Sequence, residues 1–294
     1  MYPGQAGVRL TAVPFYAQDA YQCGPAALAG VLGAAGVHIA PSSLAPQVFL
    51  PGRRGSLQLE LLAASRRAGR IPYVISDTPQ ALFAQLQAGR PVLVLQNLQT
   101  RSFPVWHYAV LVGFDTQTNR VLLNSGAEQG LAMSAPAFLR TWDWAGRWAM
   151  VALRPAEIPA GAAPSQYFEA LVAFEAVAGG AASAPAWRSA MQRWPQDGRP
   201  YLALGNMEYA RGALAQAADY YQRGLVVSPN DPALGNNLAS VLGEAGCPRQ
   251  GRQLLEPVLA ALPAASPWRA EIQSTLAELA LQPSLTGASC ATLW

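Results

Sequence analysis

A fixed spacing of prolines constrains the fold of the C-terminal half more strongly than any other feature of the sequence. Pro195, Pro229 and Pro263 follow one another at intervals of 34 residues, in a segment rich in Ala and Leu with helical periodicity. Stacked copies of one helical unit produce such a period, and the alternative is a plain helical bundle in which the prolines coincide by chance. We predict an all-α domain over residues 165–282, followed by a C-terminal tail at 283–294.

The middle unit of this period resembles a tetratricopeptide repeat. Gly205, Ala217, Tyr221 and Pro229 match the repeat pattern, although Glu208 stands where Tyr is usual. The resemblance implies pairs of antiparallel helices that stack into a concave groove. Such a groove binds a peptide or a protein partner and carries no chemistry of its own.

Chemistry is expected in the N-terminal half, around Cys23. Gly24, Pro25 and a run of small apolar residues follow the cysteine, which predicts a helix with proline in its first turn. The sulfur then lies at a helix N-terminus, where free N–H groups and the macrodipole favour thiolate over thiol. Gln18 is an uncharged donor that could stabilise a developing oxyanion. The alternative is that Cys23 is a small buried hydrophobic residue.

His107 supplies the matching base. It stands in an apolar, β-branched-rich run that predicts a buried strand, and a second strand follows after a short turn. Hairpin pairing would bring Asn124 or Ser125 near the imidazole, where a side-chain acceptor fixes the tautomer of the ring. We favour Asn124, because an amide oxygen reaches farther than a hydroxyl. A histidine with a purely structural role in the core is the alternative.

These residues together resemble the papain-like cysteine peptidases of the bacteriocin-processing, double-glycine-leader type. The resemblance covers roughly residues 11–155 and rests on Gln18, on Cys23 with the Gly-Pro-Ala that opens its helix, and on His107 with its following apolar residues. It implies Cys23 as nucleophile, His107 as base and Gln18 as oxyanion-hole donor. The chain departs from the family at Ser125, where an Asp is usual.

The expected fold class is α+β: a papain-like cysteine peptidase domain with an N-terminal helix against an antiparallel sheet, followed by the all-α repeat domain. We place the peptidase domain at residues 1–155 and a Pro- and Ala-rich linker at 156–164. Within the first domain, the stretch around Pro41 and Pro46 is predicted to be a loop.

Composition excludes several classes of function. The net charge is only +3, and the basic residues are all scattered Arg, which does not indicate a nucleic-acid surface. With two histidines in the chain, a His-rich metal site is impossible, no phosphate-binding glycine loop is present, and we expect no cofactor. We also expect no membrane-spanning segment. Cys247 and Cys290 would pair in an oxidising compartment or remain as two buried thiols.

The sequence therefore predicts a cysteine peptidase that hydrolyses peptide bonds through a Cys-His thioester, with the repeat domain holding a peptide or protein partner. Two alternatives stay open: a catalytically inactive peptidase-like module that binds peptides, and a Cys-His amidase or acyl-transfer enzyme. The first residues contain no signal segment. We expect either a cytoplasmic protein or a mature fragment, with the bacterial cell envelope or periplasm favoured.

Overall fold

The computed structural model describes residues 7–17, 22–50, 52, 55–283 and 290 of the 294-residue chain. The chain divides into two compact units, the first ending at Ser183 and the second beginning at Ala184. Each unit has its own secondary-structure class, so the two are described separately.

The first unit is built on an antiparallel sheet. The strands of this sheet are β1 (Val8–Arg9), β4 (Ile71–Val74), β5 (Val92–Asn97), β6 (Trp106–Asp115), β7 (Arg120–Ser125), β8 (Glu128–Ser134) and β9 (Ala149–Leu153). Two further strands, β2 (Phe49–Leu50) and β3 (Gly55–Ser56), form a separate two-stranded sheet. Within the described residues the sheet has the order β4-β9-β5-β6-β7-β8, β1 pairs with β6, and β2 pairs with β3 alone. All of these pairings are antiparallel.

Six helices accompany the strands in the described part of this unit. They are α1 (Cys23–Ala34), α2 (Pro41–Val48), α3 (Gln58–Arg67), α4 (Pro79–Gln87), α5 (Ala135–Asp143) and α6 (Pro164–Ala178). Helix α1 is hydrophobic all round and is buried from Gly24 to Gly33, as expected for a helix in the centre of a fold. Its Leu28 and Leu32 are fully buried and pack with Val110 of β6 in one core, and each buried leucine contributes about 1.5–3 kcal/mol.

The predicted α+β class is confirmed for this unit, with a helix that begins at Cys23 against an antiparallel sheet. The predicted loop around Pro41 and Pro46 is wrong, because α2 forms there. Pro41 lies in the first turn of α2, where the missing N–H has no intrahelical partner to lose, and Pro46 is accommodated within the short helix.

Helix α6 belongs to the first unit although its residues were predicted to begin the repeat domain. Gln166 of α6 accepts a hydrogen bond from Tyr73 Oη at 2.8 Å and donates to the carbonyl oxygen of Val74 at 2.9 Å, which attaches the helix to β4. The boundary between the compact units therefore follows Ser183, about twenty residues beyond the linker expected at 156–164.

The C-terminal region is helical throughout its described residues. Its helices are α7 (Gly180–Arg193), which spans the unit boundary, α8 (Gly198–Ala210), α9 (Leu214–Val227), α10 (Pro232–Glu244), α11 (Pro248–Ala261) and α12 (Trp268–Leu281). The helices α6, α8 and α10 begin 34 residues apart, and so do α7, α9 and α11. Helix starts thus recur at the spacing of the prolines.

Small residues let neighbouring helices of the second unit approach closely. A Cβ on Gly205 of α8 would lie 2.3 Å from the ring of Tyr221 on α9, so only glycine leaves room for the aromatic ring. Tyr221 is buried and its hydroxyl donates to Asn206 Oδ1 at 2.8 Å. A disulfide joins Cys247 to Cys290, and both cysteines belong to the same core cluster as Tyr221.

Candidate active site

Cys23 is the first residue of α1 and the only free cysteine in the described part of the chain. The thiol is half-buried, and the first turn contains no acidic side chain and no side-chain cap. Proline at position 25 has no N–H, and the first intrahelical bond runs from the Ala26 amide to the Gln22 carbonyl at 3.2 Å. The positive end of the helix dipole is therefore available to an anion beside the sulfur.

His107 is the second residue of β6 and is half-buried. Its Nε2 atom lies 2.9 Å from Ser125 Oγ, at the end of β7. The register pairs Val110 with Asn124, so Ser125 lies opposite Ala109 and on the same face of the sheet as His107. The hairpin thus holds one ring nitrogen against a hydroxyl and leaves Nδ1 for other partners.

Asn124 does not contact the histidine. Its side chain lies on the opposite face, where it is buried and Oδ1 accepts a hydrogen bond from the Gly130 amide at 3.1 Å. The structure therefore pairs His107 with Ser125 and gives Asn124 a contact to the Gly130 amide within β8. Strand alternation allows only one of two adjacent residues to face the ring, and the register selects Ser125.

Tyr108 connects the histidine strand to the cysteine helix. Its ring faces α1, where a Cβ on Gly24 would lie 3.6 Å from Tyr108 Cδ2. The Tyr108 hydroxyl donates to the carbonyl oxygen of Ser56 at 3.2 Å. Gly24 follows Cys23 and Tyr108 follows His107, but adjacent strand residues face opposite sides of a sheet, so this contact places Tyr108, and not the ring of His107, against the start of α1.

The thiol and the imidazole are not hydrogen-bonded to each other: among the described residues, the ring of His107 pairs with Ser125 alone. Catalytic hydrogen bonds are often long in a ligand-free site and tighten when substrate binds. Gln18, the predicted oxyanion-hole donor, lies outside the described residues.

Burial sets the protonation states around the site. It lowers the pKa of His107, which favours the neutral ring that can accept a proton. The pKa of Tyr108 is raised, first by burial and then by the charge of Cys23, so its hydroxyl stays protonated.

We find no metal site among residues 7–17, 22–50, 52, 55–283 and 290, where no group of three or more His, Cys, Asp or Glu side chains is placed to hold an ion. The candidate site residues offer a thiol, an imidazole, hydroxyls and backbone amides. This set suits nucleophilic acyl transfer, in which a thiol attacks a carbonyl carbon and a histidine moves the proton.

Comparison with known proteins finds a family for the N-terminal half. Residues 10–150 match the profile of the Peptidase_C39 like family, so this half of the chain contains a C39-like peptidase domain. No curated protein matched the chain. The C-terminal helical region was not matched by the family profile.

Three solved structures resemble the same half. A Bacillus anthracis protein described as a C39-like peptidase is 18% identical and covers 51% of this chain and 98% of its own, with a TM-score of 0.42. A double glycine motif protease from an AMS/PCAT transporter, solved with the leader peptide, is 22% identical over 49% of this chain and 93% of its own, with a TM-score of 0.39. The peptidase domain of Streptococcus ComA, a bi-functional ABC transporter of a quorum-sensing pathway, is 20% identical over 48% and 98%, with a TM-score of 0.38.

No helix in the described part of the chain is both long enough and apolar enough to cross a membrane.

Proposed function

We propose that the chain is a cysteine peptidase in which Cys23 is the nucleophile, His107 the general base and Ser125 the residue that orients the imidazole. The observation that carries the proposal is the bond between His107 Nε2 and Ser125 Oγ at 2.9 Å, and the match of residues 10–150 to the C39-like peptidase family supports the pairing of this histidine with Cys23. This is the order of groups that a thiol peptidase needs: nucleophile, base and orienting side chain.

The reaction follows from these positions. Nε2–H of His107 donates to Ser125, and Nδ1 takes the proton of the Cys23 thiol. The thiolate attacks the carbonyl carbon of a peptide bond, and the N-terminus of α1 stabilises the negative charge on the oxygen. His107 then protonates the leaving amine as the C–N bond breaks. Water attacks the resulting thioester with His107 again as base, which releases the acid and restores the thiol.

Ser125 makes this site differ from a triad that contains a carboxylate. A hydroxyl can fix the tautomer of the ring, but it brings no negative charge to stabilise the imidazolium that forms during attack. Burial already lowers the pKa of His107. We infer that the proton transfer is less favourable here than in a site with Asp at position 125.

The helical unit is proposed to hold a peptide or protein partner. Two observations support a tetratricopeptide-like stack: helices begin at 34-residue intervals, and Gly205 lies under the ring of Tyr221, as a small residue does at the tight crossing within such a repeat. A stack of this kind recruits substrate or partner and leaves the chemistry to Cys23.

The test is detection of the thioester itself. The resemblance to double-glycine-leader peptidases makes a peptide with Gly-Gly before a coumarin leaving group the first probe. We expect the wild-type chain to release coumarin and, after an acid quench, to carry the acyl mass on the tryptic peptide of Cys23. His107→Ala should slow release about a hundredfold or more, and Cys23→Ala should show none. Release that persists in Cys23→Ala would contradict the proposal.

A binding module without activity is the second candidate. It is favoured by the departure at Ser125 and by the lack of a hydrogen bond between Cys23 and His107 in the described structure. In that case the same peptide would bind the wild type and Cys23→Ala with equal affinity in calorimetry, and no acyl mass would form on either.

A further inference from the structure

Ser56 of β3 contacts both halves of the candidate site. Its side chain occupies the space beside Gly24: a Cβ on this glycine would lie 2.3 Å from Ser56 Oγ and 2.6 Å from Ser56 Cβ. Its backbone carbonyl accepts the hydrogen bond from Tyr108. Ser56 therefore touches the residue after Cys23 and the residue after His107.

The hydroxyl of Ser56 is unusual for its position. Ser56 Oγ is shielded from solvent and has no hydrogen-bond partner in the described structure. A buried hydroxyl without a partner costs about 1–3 kcal/mol, and each such group in a folded protein calls for an explanation, a catalytic role being one. An alanine at position 56 would avoid this cost, but it would lack the oxygen atom that lies beside Gly24.

We propose that Ser56 is a positioning residue, which seats the first turn of α1 against Tyr108 and thereby sets the position of the Cys23 thiol relative to His107. The inference rests on the proposed function and adds a residue to it. The side chain acts through contact with Gly24, where Oγ limits how closely the first turn approaches β6. Small displacements of reacting groups cost large factors in rate, so a shift of this turn should change the reactivity of the thiol.

The experiment is a double-mutant cycle on the reactivity of Cys23 in the full chain. The rate of alkylation by iodoacetamide at pH 7 is mapped to Cys23 by mass spectrometry in the wild type, Ser56→Ala, His107→Ala and the double variant. We expect Ser56→Ala to slow alkylation about tenfold, and the double variant to be no slower than His107→Ala, because the serine acts through the pairing of thiol and histidine. Since Ser56 Oγ has no bond to lose, the melting temperature of Ser56→Ala should not fall.

Ser65→Ala is the matched control. Ser65 of α3 is fully buried, and its hydroxyl donates to the Leu61 carbonyl at 2.8 Å. Its loss should lower stability by about 1 kcal/mol and leave alkylation of Cys23 unchanged.

Three results would overturn the inference. One is a wild-type rate in Ser56→Ala while His107→Ala is slow, which would leave the proposed function intact. The second is rate losses that multiply in the double variant, and the third is a fall in melting temperature that accounts for the lost rate. Equal rates in the wild type and His107→Ala would instead overturn the proposed function, and the role of Ser56 with it.

Discussion

The two units of the chain assemble their important contacts over very different distances in sequence. From α8 onward in the helical unit, each helix packs mainly on the next, and the starts of alternate helices recur every 34 residues. In the first unit, the contacts of the candidate site join residues far apart in sequence: His107 pairs with Ser125, and Ser56 lies beside Gly24, the residue after Cys23. A periodic sequence therefore specifies the first kind of structure directly, whereas the second kind depends on strand register.

This difference explains which parts of the structure could be predicted. The helix at Cys23 followed from Pro25 and the apolar run after it, and the β6–β7 hairpin followed from two apolar runs with a short turn between them. The helix spacing in the second unit could be predicted from Pro195, Pro229 and Pro263, because a sequence repeat of fixed length sets the interval at which equivalent helices begin.

The choice between Asn124 and Ser125 shows the limit of the same reasoning. A shift of one residue in strand pairing moves every side chain to the other face, and no feature of the sequence fixes the pairing of Val110 with Asn124. Strand β8 was missed for a related reason: Glu128–Ser134 lies at the sheet edge and lacks β-branched residues. One signal could have favoured Ser125: it stands at the position where the peptidase family that the chain resembles usually has the orienting Asp.

The largest expected effect tests whether the two units are independent of each other. The disulfide closes a loop between Cys247 and Cys290, and such a link typically contributes about 2–4 kcal/mol. Replacing both residues with Ser should lower the free energy of unfolding of the helical unit by that amount, measured by urea denaturation followed by circular dichroism. Alkylation of Cys23 should not change. A parallel loss of Cys23 reactivity would show that the units are not independent.

The next effect concerns the orienting residue. Ser125→Ala should slow peptide hydrolysis about tenfold, because the ring loses its partner, and Ser125→Asp should accelerate it, because a carboxylate stabilises the imidazolium. Asn124→Ala is the control: it removes the bond to Gly130, which costs about 1 kcal/mol of stability, and should leave kcat nearly unchanged. A large loss of kcat in Asn124→Ala with a neutral Ser125→Ala would restore the role first predicted for the asparagine.

The smallest effect is a shift in pH dependence. The neutral ring of His107 is the active form, so hydrolysis should fall as pH decreases through the pKa of the ring. Because burial lowers that pKa, the acid limb should have its midpoint below about 6.5, the value of an exposed histidine. Ser125→Asp should move the midpoint to higher pH, since a nearby carboxylate favours the charged ring. A midpoint above 6.5 in the wild type would contradict the burial of His107.

The pairing of Cys23 with His107 is the central claim, and the pH dependence of Cys23 alkylation tests it most directly. The second-order rate constant for iodoacetamide is measured from pH 5 to 9 for the wild type and His107→Ala, with glutathione as the reference thiol. The account predicts that wild-type Cys23 reacts faster than glutathione near pH 6 and that His107→Ala loses this advantage, because the thiol no longer has a base to take its proton. Coincident profiles for the wild type and His107→Ala would show that the two residues do not act together.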